Sequence, residues 1–423
     1  MRVALITAGS RGDVAPFTGL GHGLARAGHR VTLVTHASFE GPAREAGLGF
    51  HGLPLDPQSL LRSEAGRRLL DSRSGPGKLA HVLRMIRRLV GDMVPGMLEA
   101  ARGSDVLLLS GSVAPLGRAI ADGLGLPSRG VYLQPISPTR EFPPPVTGTR
   151  SCGAVGNQLA GQAVNLALEA VFAGAARHVQ RELGVPRRRF PARGPHREPP
   201  DWPVHHGFSP LVVARPPDWR PGLSVSGYWW PYTPPAAGLP PEVERFIEAG
   251  PAPVFVGLGS PTVPDPGRVS ALIVAALRRA GLRGVIQSGW SGLHAEGDDM
   301  LTIGEAPHGL LFPRMAAVVH HAGAGTTAAG LRAGVPAVPV PVWFDGAFWA
   351  SRLTALGVSP AAVPLKRLDS PGALATALTA ATGEPAYRRR AALLAERLRH
   401  EDGTAPVLAA LHRLESVLGG AGA

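Results

Sequence analysis

Residues 316–334, AAVVHHAGAGTTAAGLRAG, decide the fold. The apolar run into His320 predicts a buried strand, the small residues after His321 predict a loop, and 326–333 predict a helix. Strand, glycine loop and helix in this order are typical of a parallel α/β sheet. A helix N-terminus offers unpaired N–H groups, and glycines let a ligand approach closely. The loop therefore predicts a phosphate site at Gly323 and Gly325, with His321 and Thr326 as side-chain donors.

The same residues allow two other interpretations. One is a tight strand-to-helix turn with a core histidine. The other is a dinucleotide site, because Gly323, Gly325 and Ala328 match GxGxx[GA] and Asp345 follows about 20 positions later. Against an NAD site, the next strand carries three prolines, which a central strand tolerates poorly, and the histidine pair has no role there. These prolines are Pro336, Pro339 and Pro341.

The rest of the chain predicts two consecutive α/β series. RVALIT at 2–7, a helix ending at Gly28 and RVTLVT at 30–35 form a βαβ unit, and a second series begins with PVFVGL at 253–258. Proline-rich stretches at 139–150 and 186–203 predict irregular loops, and 215–241 predicts an interdomain linker. Because 423 residues exceed one hydrophobic core, the predicted fold class is α/β, with two Rossmann-like domains facing across a cleft.

Composition limits the partners and the compartment. The net charge of +12 fits either an anionic partner or a compositional bias toward arginine, and no nucleic-acid-binding pattern accompanies it. The amphipathic stretch 78–101 predicts a membrane-surface helix or one packed on the sheet. Cys152 is the single cysteine, so neither a disulfide nor a cysteine zinc cluster is expected. Without a signal peptide or an unbroken apolar run of about 18 residues, we expect a cytoplasmic protein with no transmembrane segment.

Two further clusters carry candidate chemistry. GSRGD at 9–13 follows the first strand, so Asp13 either accepts a proton from a hydroxyl at the cleft or caps the following helix. The run of Trp343, Phe344 and Asp345, followed by Gly346, Phe348 and Trp349, places a carboxylate beside aromatic rings. This arrangement is typical of sugar binding, and it is equally compatible with a surface loop whose aromatics are buried.

With these motifs in order, the chain resembles the inverting, metal-independent family 1 glycosyltransferases of the GT-B fold. It is most similar to the branch of sterol glucosyltransferases and actinobacterial antibiotic-tailoring enzymes. The resemblance covers nearly the whole chain and rests on GSRGDVAPF (9–17), GFSP (207–210), GYWW (227–230), VGLGS (256–260), QSGW (287–290), IGEAPH (303–308), LFPR (311–314) and HHAGAGTTAAGLRAGVP (320–336).

The resemblance implies a role for each matching residue. Asp13 would be the general base for the acceptor hydroxyl. The donor diphosphate would be bound by Ser10, Gly12, Ser260, His321, Gly323, Ala324, Gly325 and Thr326. The nucleoside would be surrounded by Gln287, Ser288, Trp290, Glu305, Ala306 and His308. The donor sugar would be held by Trp343, Asp345 and Gly346. Three positions depart from the family pattern: Gly346 for a glutamine, Ala329 for an acidic ribose ligand, and Ala322 for a glycine.

The resemblance also implies the reaction and the domain boundaries. A UDP- or dTDP-linked hexose or deoxyhexose would pass to a hydroxyl of a polyketide, macrolide, terpenoid or sterol, without metal or cofactor, in a monomer or homodimer. We expect an acceptor domain at 1–217, a linker at 218–241, a nucleotide-sugar domain at 242–400 and a C-terminal helix at 401–423. The alternative is a nucleotide-binding protein that transfers no sugar: an NAD-linked oxidoreductase or a degenerate partner subunit.

Overall fold

The structure is a computed structural model that describes residues 1–54, 76–184, 202–263, 265–342 and 344–420. Within these ranges, side chains are described except at 76–86, 88 and 420. The chain forms two parallel sheets with helices on their faces, which confirms the predicted α/β class.

The first sheet has seven parallel strands in the order β3-β2-β1-β4-β5-β6-β7. Its central strands are buried along their length, as in VLLL at 106–109, because helices cover both faces of a parallel sheet. The strands are β1 (Arg2–Ile6), β2 (Arg30–His36), β3 (Gly49–Leu53), β4 (Val106–Leu109), β5 (Ser128–Tyr132), β6 (Val204–His206) and β7 (Leu223–Val225).

The second sheet has five parallel strands in the order β10-β9-β8-β11-β12. The strand that precedes the glycine loop, β11, lies between β8 and the edge strand β12. The strands are β8 (Val254–Gly257), β9 (Gly284–Gln287), β10 (Met300–Ile303), β11 (Val318–His320) and β12 (Ala337–Pro339).

Helices connect the strands of both sheets. In the first half of the chain they are α1 (Arg11–Arg26), α2 (Glu40–Glu45), α3 (Pro76–Arg102), α4 (Ala114–Leu124) and α5 (Gly153–Glu182). In the second half they are α6 (Pro241–Glu248), α7 (Pro266–Arg279), α8 (His308–Leu311), α9 (Ala324–Ala333), α10 (Gly346–Ala355), α11 (Gly372–Gly383), α12 (Pro385–Arg399) and α13 (Ala405–Gly420). Short 3-10 turns lie at Ala37–Phe39, Pro145–Thr147, Phe312–Arg314 and Leu365–Arg367.

The sequence pattern missed β6 and β7. Both have three residues, too few for a periodic pattern, and β7 lies within 218–241, the predicted linker. Pairing of β7 with β6 puts this part of the range in the first sheet. The other domain boundaries stay predictions.

The segment GYWW joins the two halves of the chain. Trp230 lies so close to α1 that a Cβ atom at Gly19 would stand 1.7 Å from its carbonyl oxygen, so only glycine fits. The indole N–H of Trp229 donates to the carbonyl of Gly403, 2.8 Å away. Residues Val407 and Leu411 of α13 are buried against the β1 face of the first domain. The C-terminal helix thus packs back on the N-terminal domain.

One helix among the described residues, α5, is long and apolar enough to cross a membrane by length and composition. Its mean hydropathy is 1.3, and 17 % of its most apolar window is buried. No unbroken apolar run exists there, because Asn157, Gln158 and Gln162 interrupt it. Length and composition alone do not separate such a span from other apolar helices.

Candidate active site

Loops at the carboxyl ends of the parallel strands hold the predicted site residues. Asp13 lies in the first turn of α1, His321 follows β11, and Asp345 directly precedes α10. The walls come close together: a Cβ atom at Gly325 would lie 3.8 Å from the Cα atom of Gly12. The turn before α1 and the loop before α9 therefore face each other across one interdomain cleft, where ligands of such sheets bind.

The carboxylate of Asp13 is held by its own turn. Its Oδ2 atom accepts hydrogen bonds from the backbone N–H and the hydroxyl of Ser10, at 2.9 and 3.0 Å, and its Oδ1 atom lies 3.4 Å from the donor Nε2 of Gln134. Burial raises the pKa of Asp13 more than these donors lower it. Asp13 does cap the helix, and at the same time it is a buried carboxylate at the cleft. The cap therefore does not exclude the proton-accepting role.

The imidazole of His321 is enclosed by glycines. A Cβ atom at Gly259 would stand 2.6 Å from its Cε1 atom, and one at Gly323 would stand 2.3 Å from its Nε2 atom. Burial lowers the pKa of His321 to about 4, so the ring is neutral at neutral pH. Its Nδ1 atom is buried without a hydrogen-bond partner among the described residues. Since buried polar atoms are normally paired, this nitrogen fits a site that a ligand completes.

Two other histidines near His321 serve the packing. His320 is fully buried, and its Nδ1 atom accepts from the backbone N–H of Ala322 at 3.1 Å. His308 stacks on Phe312, with ring centroids 4.3 Å apart. Burial lowers the pKa of both to about 3. Positive potential at the loop must therefore come from the N-terminus of α9 and not from charged imidazoles.

Ala322 explains why the family pattern has glycine at this turn. Its φ angle is +61°, in the left-handed region that alanine adopts only with strain. The side chain is fully buried, which leaves the turn no room to relax. The strained residue fixes the direction in which the chain leaves β11 and enters the glycine loop.

Asp345 is bound by a tryptophan one helical turn ahead. The indole N–H of Trp349 donates to its Oδ2 atom at 2.7 Å. Burial, and secondarily the negative charge of Asp13, raise the pKa of Asp345 to about 6. The next residue, Gly346, is sterically confined: a Cβ atom there would lie 2.9 Å from the carbonyl oxygen of His321. A longer side chain at 346 requires the glycine loop to move.

The segments predicted for the nucleoside form a second wall of the cleft. Gln287 donates through Nε2 to the carbonyl of Gly304 at 3.3 Å, and the backbone N–H of Trp290 donates to the carbonyl of Gly259 at 3.2 Å. The side chains of Ala306 and His308 pack into the second domain. The backbone N–H of Ser288 donates to the carbonyl of Ile303 at 3.0 Å, which joins it to the segment that leads to Glu305. Ser260, predicted for the diphosphate, directly follows Gly259 in the chain. Trp343 lies outside the described residues.

Sequence reasoning missed several residues of the cleft. Gln134 contacts Asp13 across 121 positions, a distance that no local pattern reveals. Arg11 pairs with Glu305 at 2.6 Å and so links the two domains. Trp349 belonged to the predicted aromatic cluster, and four positions on a helix bring it beside Asp345. Between the domains, Phe142 packs on Phe348 with ring centroids 5.3 Å apart.

The geometry disfavours the dinucleotide interpretation. The strand after the glycine loop, β12, ends at Pro339 at the edge of its sheet. Asp345 lies six residues beyond that end, at the start of α10, with one oxygen on the indole of Trp349. An acidic ribose ligand of an NAD site would instead follow the strand directly.

Comparison with known proteins agrees with the geometry. Residues 3–94 match the model of the glycosyltransferase family 28 N-terminal domain, and residues 287–413 match that of the erythromycin biosynthesis protein CIII-like C-terminal domain. A sterol 3-beta-glucosyltransferase of Arabidopsis thaliana is 30 % identical, with 98 % of this chain and 68 % of the relative covered. A second one from the same plant is 32 % identical, with 86 % and 58 % covered.

A solved structure shares the fold. The glycosyltransferase VinC, crystallised with dTDP, has a TM-score of 0.66 at 20 % identity, with 98 % of this chain and 100 % of that chain covered. The two parallel sheets and the facing loops at their strand ends therefore fit the family to which the sequence relatives belong. The chain belongs to the GT-B glycosyltransferases, in the branch of sterol glucosyltransferases and antibiotic-tailoring glycosyltransferases.

Proposed function

We propose that this chain transfers a hexose or deoxyhexose from a UDP- or dTDP-linked donor to a hydroxyl of a lipophilic small molecule. One observation carries the proposal. The carboxylates of Asp13 and Asp345 come from different domains, yet Asp13 is near enough to raise the pKa of Asp345. The glycine loop after His321 lies beside them. The groups that we propose as base, sugar ligand and phosphate site thus share one cleft.

In the proposed reaction, Asp13 accepts the proton of the acceptor hydroxyl. The hydroxyl oxygen attacks the anomeric carbon, and the bond from that carbon to the phosphate oxygen breaks. The nucleoside diphosphate leaves with the bonding electrons, and the anomeric configuration inverts. The burial that raises the pKa of Asp13 makes it a better proton acceptor than an exposed aspartate.

The leaving diphosphate would lie on the glycine loop. The backbone N–H groups of 323–326 open α9, and the positive end of the helix dipole offsets the charge that develops. Neutral His321 would donate one hydrogen bond, and Ser10, Gly12 and Ser260 would line the opposite side. We propose that these groups suffice without a metal ion. Transfer that survives excess EDTA supports this, and loss restored by Mg²⁺ contradicts it.

The donor sugar would bind Asp345. Gly346 provides no side chain toward the sugar, and a side chain there would meet the carbonyl of His321. We therefore propose that the site accepts donors with fewer sugar hydroxyls, such as deoxyhexoses. The dTDP in the VinC crystal supports a dTDP donor, whereas the plant sterol 3-beta-glucosyltransferases favour glucose. For the acceptor, their name supports a sterol, and the erythromycin-type domain supports a macrolide.

A thermal-shift screen with UDP, dTDP, UDP-glucose and NADH at equal concentration tests the donor site first. A rise of the unfolding temperature with one nucleoside diphosphate, and none with NADH, supports the proposal. Stabilisation by NADH alone contradicts it. A transfer assay then pairs the stabilising nucleotide with glucose and 6-deoxyhexose donors against sterol and macrolide acceptors, with mass spectrometry of the products.

A further inference from the structure

The apolar surface of helix α5 extends beyond the face that packs against the rest of the protein. Between Arg150 and Glu169 no residue carries a charge. Asn157, Gly161, Phe172, Ala176 and Val179 form the buried face, which packs on the first domain. In a globular protein the face opposite the core is normally charged. This helix is apolar or uncharged there as well.

The exposed side of α5 carries a continuous apolar stripe. Its members recur at helical spacing, and three large ones are 63 %, 59 % and 46 % exposed. The stripe consists of Val155, Leu159, Ala163, Leu166 and Ala170. Positions 155, 159, 163, 166 and 170 lie on one face of a helix and opposite 157, 161 and 172. A contiguous exposed apolar patch of this kind marks an interaction surface.

Arginines stand at both ends of the stripe. Arg150 precedes the helix, and Arg177 and Arg181 lie in its last turns, all exposed. Within residues 150–182 these three arginines outnumber the two glutamates, Glu169 and Glu182, the second of which lies 3.7 Å from His178. Arginine therefore flanks the apolar stripe at both ends, and these ends complement an anionic surface.

Helix α5 also contacts the loop that begins at Gln134, the residue whose side chain contacts Asp13. The amide of Asn157 donates to the carbonyl of Arg140 at 3.2 Å. Gly161 lies against Pro138, where a Cβ atom would come within 3.0 Å of its Cα atom. That loop begins at Gln134, which contacts the carboxylate of Asp13. One continuous segment thus connects the apolar stripe with the cleft.

We propose that the apolar stripe of α5 docks on the surface of an anionic lipid bilayer, with the helix lying along the interface. Leu159 and Leu166 would enter the acyl boundary while the flanking arginines contact lipid phosphates. The uncharged part of the helix, residues 153–168, extends about 24 Å along the interface at ~1.5 Å per residue. If the proposed function holds, docking brings the cleft to the phase in which a lipophilic acceptor is dissolved.

A second copy of the chain fits the stripe less well than a bilayer does. Both ends of the stripe are arginine-bearing, at Arg150 and at Arg177. Pairing two stripes therefore places positive charge against positive charge in the parallel and the antiparallel orientation. An anionic lipid surface instead pairs with every one of these arginines.

Flotation of the whole chain with vesicles, without donor or acceptor, tests the proposal. Vesicles of phosphatidylcholine and phosphatidylglycerol should carry the protein to the top of the gradient, and pure phosphatidylcholine vesicles should carry much less. Leu159→Gln with Leu166→Gln should reduce the bound fraction about ten-fold or more, since a leucine loses its burial in the acyl region. Arg177→Gln with Arg181→Gln should reduce binding to the anionic vesicles only.

The control replaces two apolar residues elsewhere that are more exposed than Leu159 and Leu166. Leu393→Gln with Val417→Gln, both positions being 68 % exposed, should leave flotation unchanged. Absent flotation, or flotation that the α5 pair does not reduce, overturns the proposal. The proposal is also overturned if light scattering shows a dimer that the Leu159→Gln, Leu166→Gln variant dissociates. It is overturned as well if alkaline carbonate fails to extract the wild-type chain from the vesicles. The Leu159→Gln, Leu166→Gln variant should still transfer sugar to an acceptor dissolved in detergent. Failure of membrane docking can therefore be distinguished from failure of the proposed enzymatic function.

Discussion

The indole Nε1 of Trp349 donates to Oδ2 of Asp345 at 2.7 Å, and this hydrogen bond fixes a carboxylate at the mouth of the glycine loop. Trp349 itself is fully buried and packs on Phe208 of the first domain. The position of Asp345 therefore depends on packing between the domains as well as on its own backbone. Trp349 is a positioning residue for the proposed sugar ligand.

Trp349→Phe removes this hydrogen bond and keeps an aromatic ring in place. We expect kcat/KM to fall about ten-fold or more, as is typical when a hydrogen bond to a charged group is lost. The indole donor lowers the pKa of Asp345, so its removal should raise that pKa. The pH below which the donor KM rises should then shift upward. Measurement of donor KM between pH 5 and 8 in both proteins checks this.

The pH profile separates positioning from a general loss of structure. A merely destabilised Trp349→Phe protein would lose kcat at every pH, with the acid limb of the KM profile unmoved. In Asp345→Asn the acid limb should disappear, and adding Trp349→Phe should then change the donor KM little. A large additional effect in the double variant would show that Trp349 acts by another route.

The sequence pattern could predict the frame of the site but not its contacts. The loop at 316–334 was predictable because strand, glycine and helix signals are local. The strands β6 and β7 were not, since three residues between prolines carry no period. The contact from Gln134 to Asp13 depends on how β5 neighbours β4 and β1, which only the sheet order supplies. The left-handed Ala322 was equally hidden, because alanine gives no signal for that conformation.

Asp13→Asn should keep the turn and abolish most transfer. An asparagine oxygen can still accept the N–H of Ser10, so folding and nucleotide binding should be preserved. Removal of a general base lowers kcat by about 10²–10⁴. Steady-state kinetics check the loss of transfer, and nucleotide titration checks that nucleotide binding is preserved. Transfer at the wild-type rate would leave Asp13 as a helix cap alone.

Asp345→Asn should stabilise the unliganded protein at neutral pH. The folded pKa of Asp345 is about 6, above the ordinary 3.8. The folded state thus holds this proton more tightly than the unfolded chain, so stability is lost as pH rises from 3.8 through 6, and the loss is complete above that range. Asparagine does not ionise, so the variant does not lose stability in this way. The variant should gain roughly 1–3 kcal/mol at pH 7, because one pKa unit is worth about 1.4 kcal/mol.

Urea unfolding at several pH values measures that gain. The difference from the wild type should shrink as pH falls through 6 and vanish only below about pH 3, where Asp345 is protonated in both the folded and the unfolded chain. Transfer should fall in the same variant, because the sugar loses a charged acceptor. A difference independent of pH would mean that the charge of Asp345 is not what destabilises the folded state.

Ala322→Gly should relieve the strain in the turn that follows β11. At φ +61° a glycine avoids the clash of the Cβ atom, although it also gains entropy in the unfolded chain. The balance should favour the folded state by about 0.5–1 kcal/mol. Ala328→Gly, in the middle of α9, is the matched control, and it should instead lose about 1 kcal/mol. If both variants lose stability equally, the packing of the Ala322 methyl group outweighs its strain, and the glycine of the family pattern has another cause.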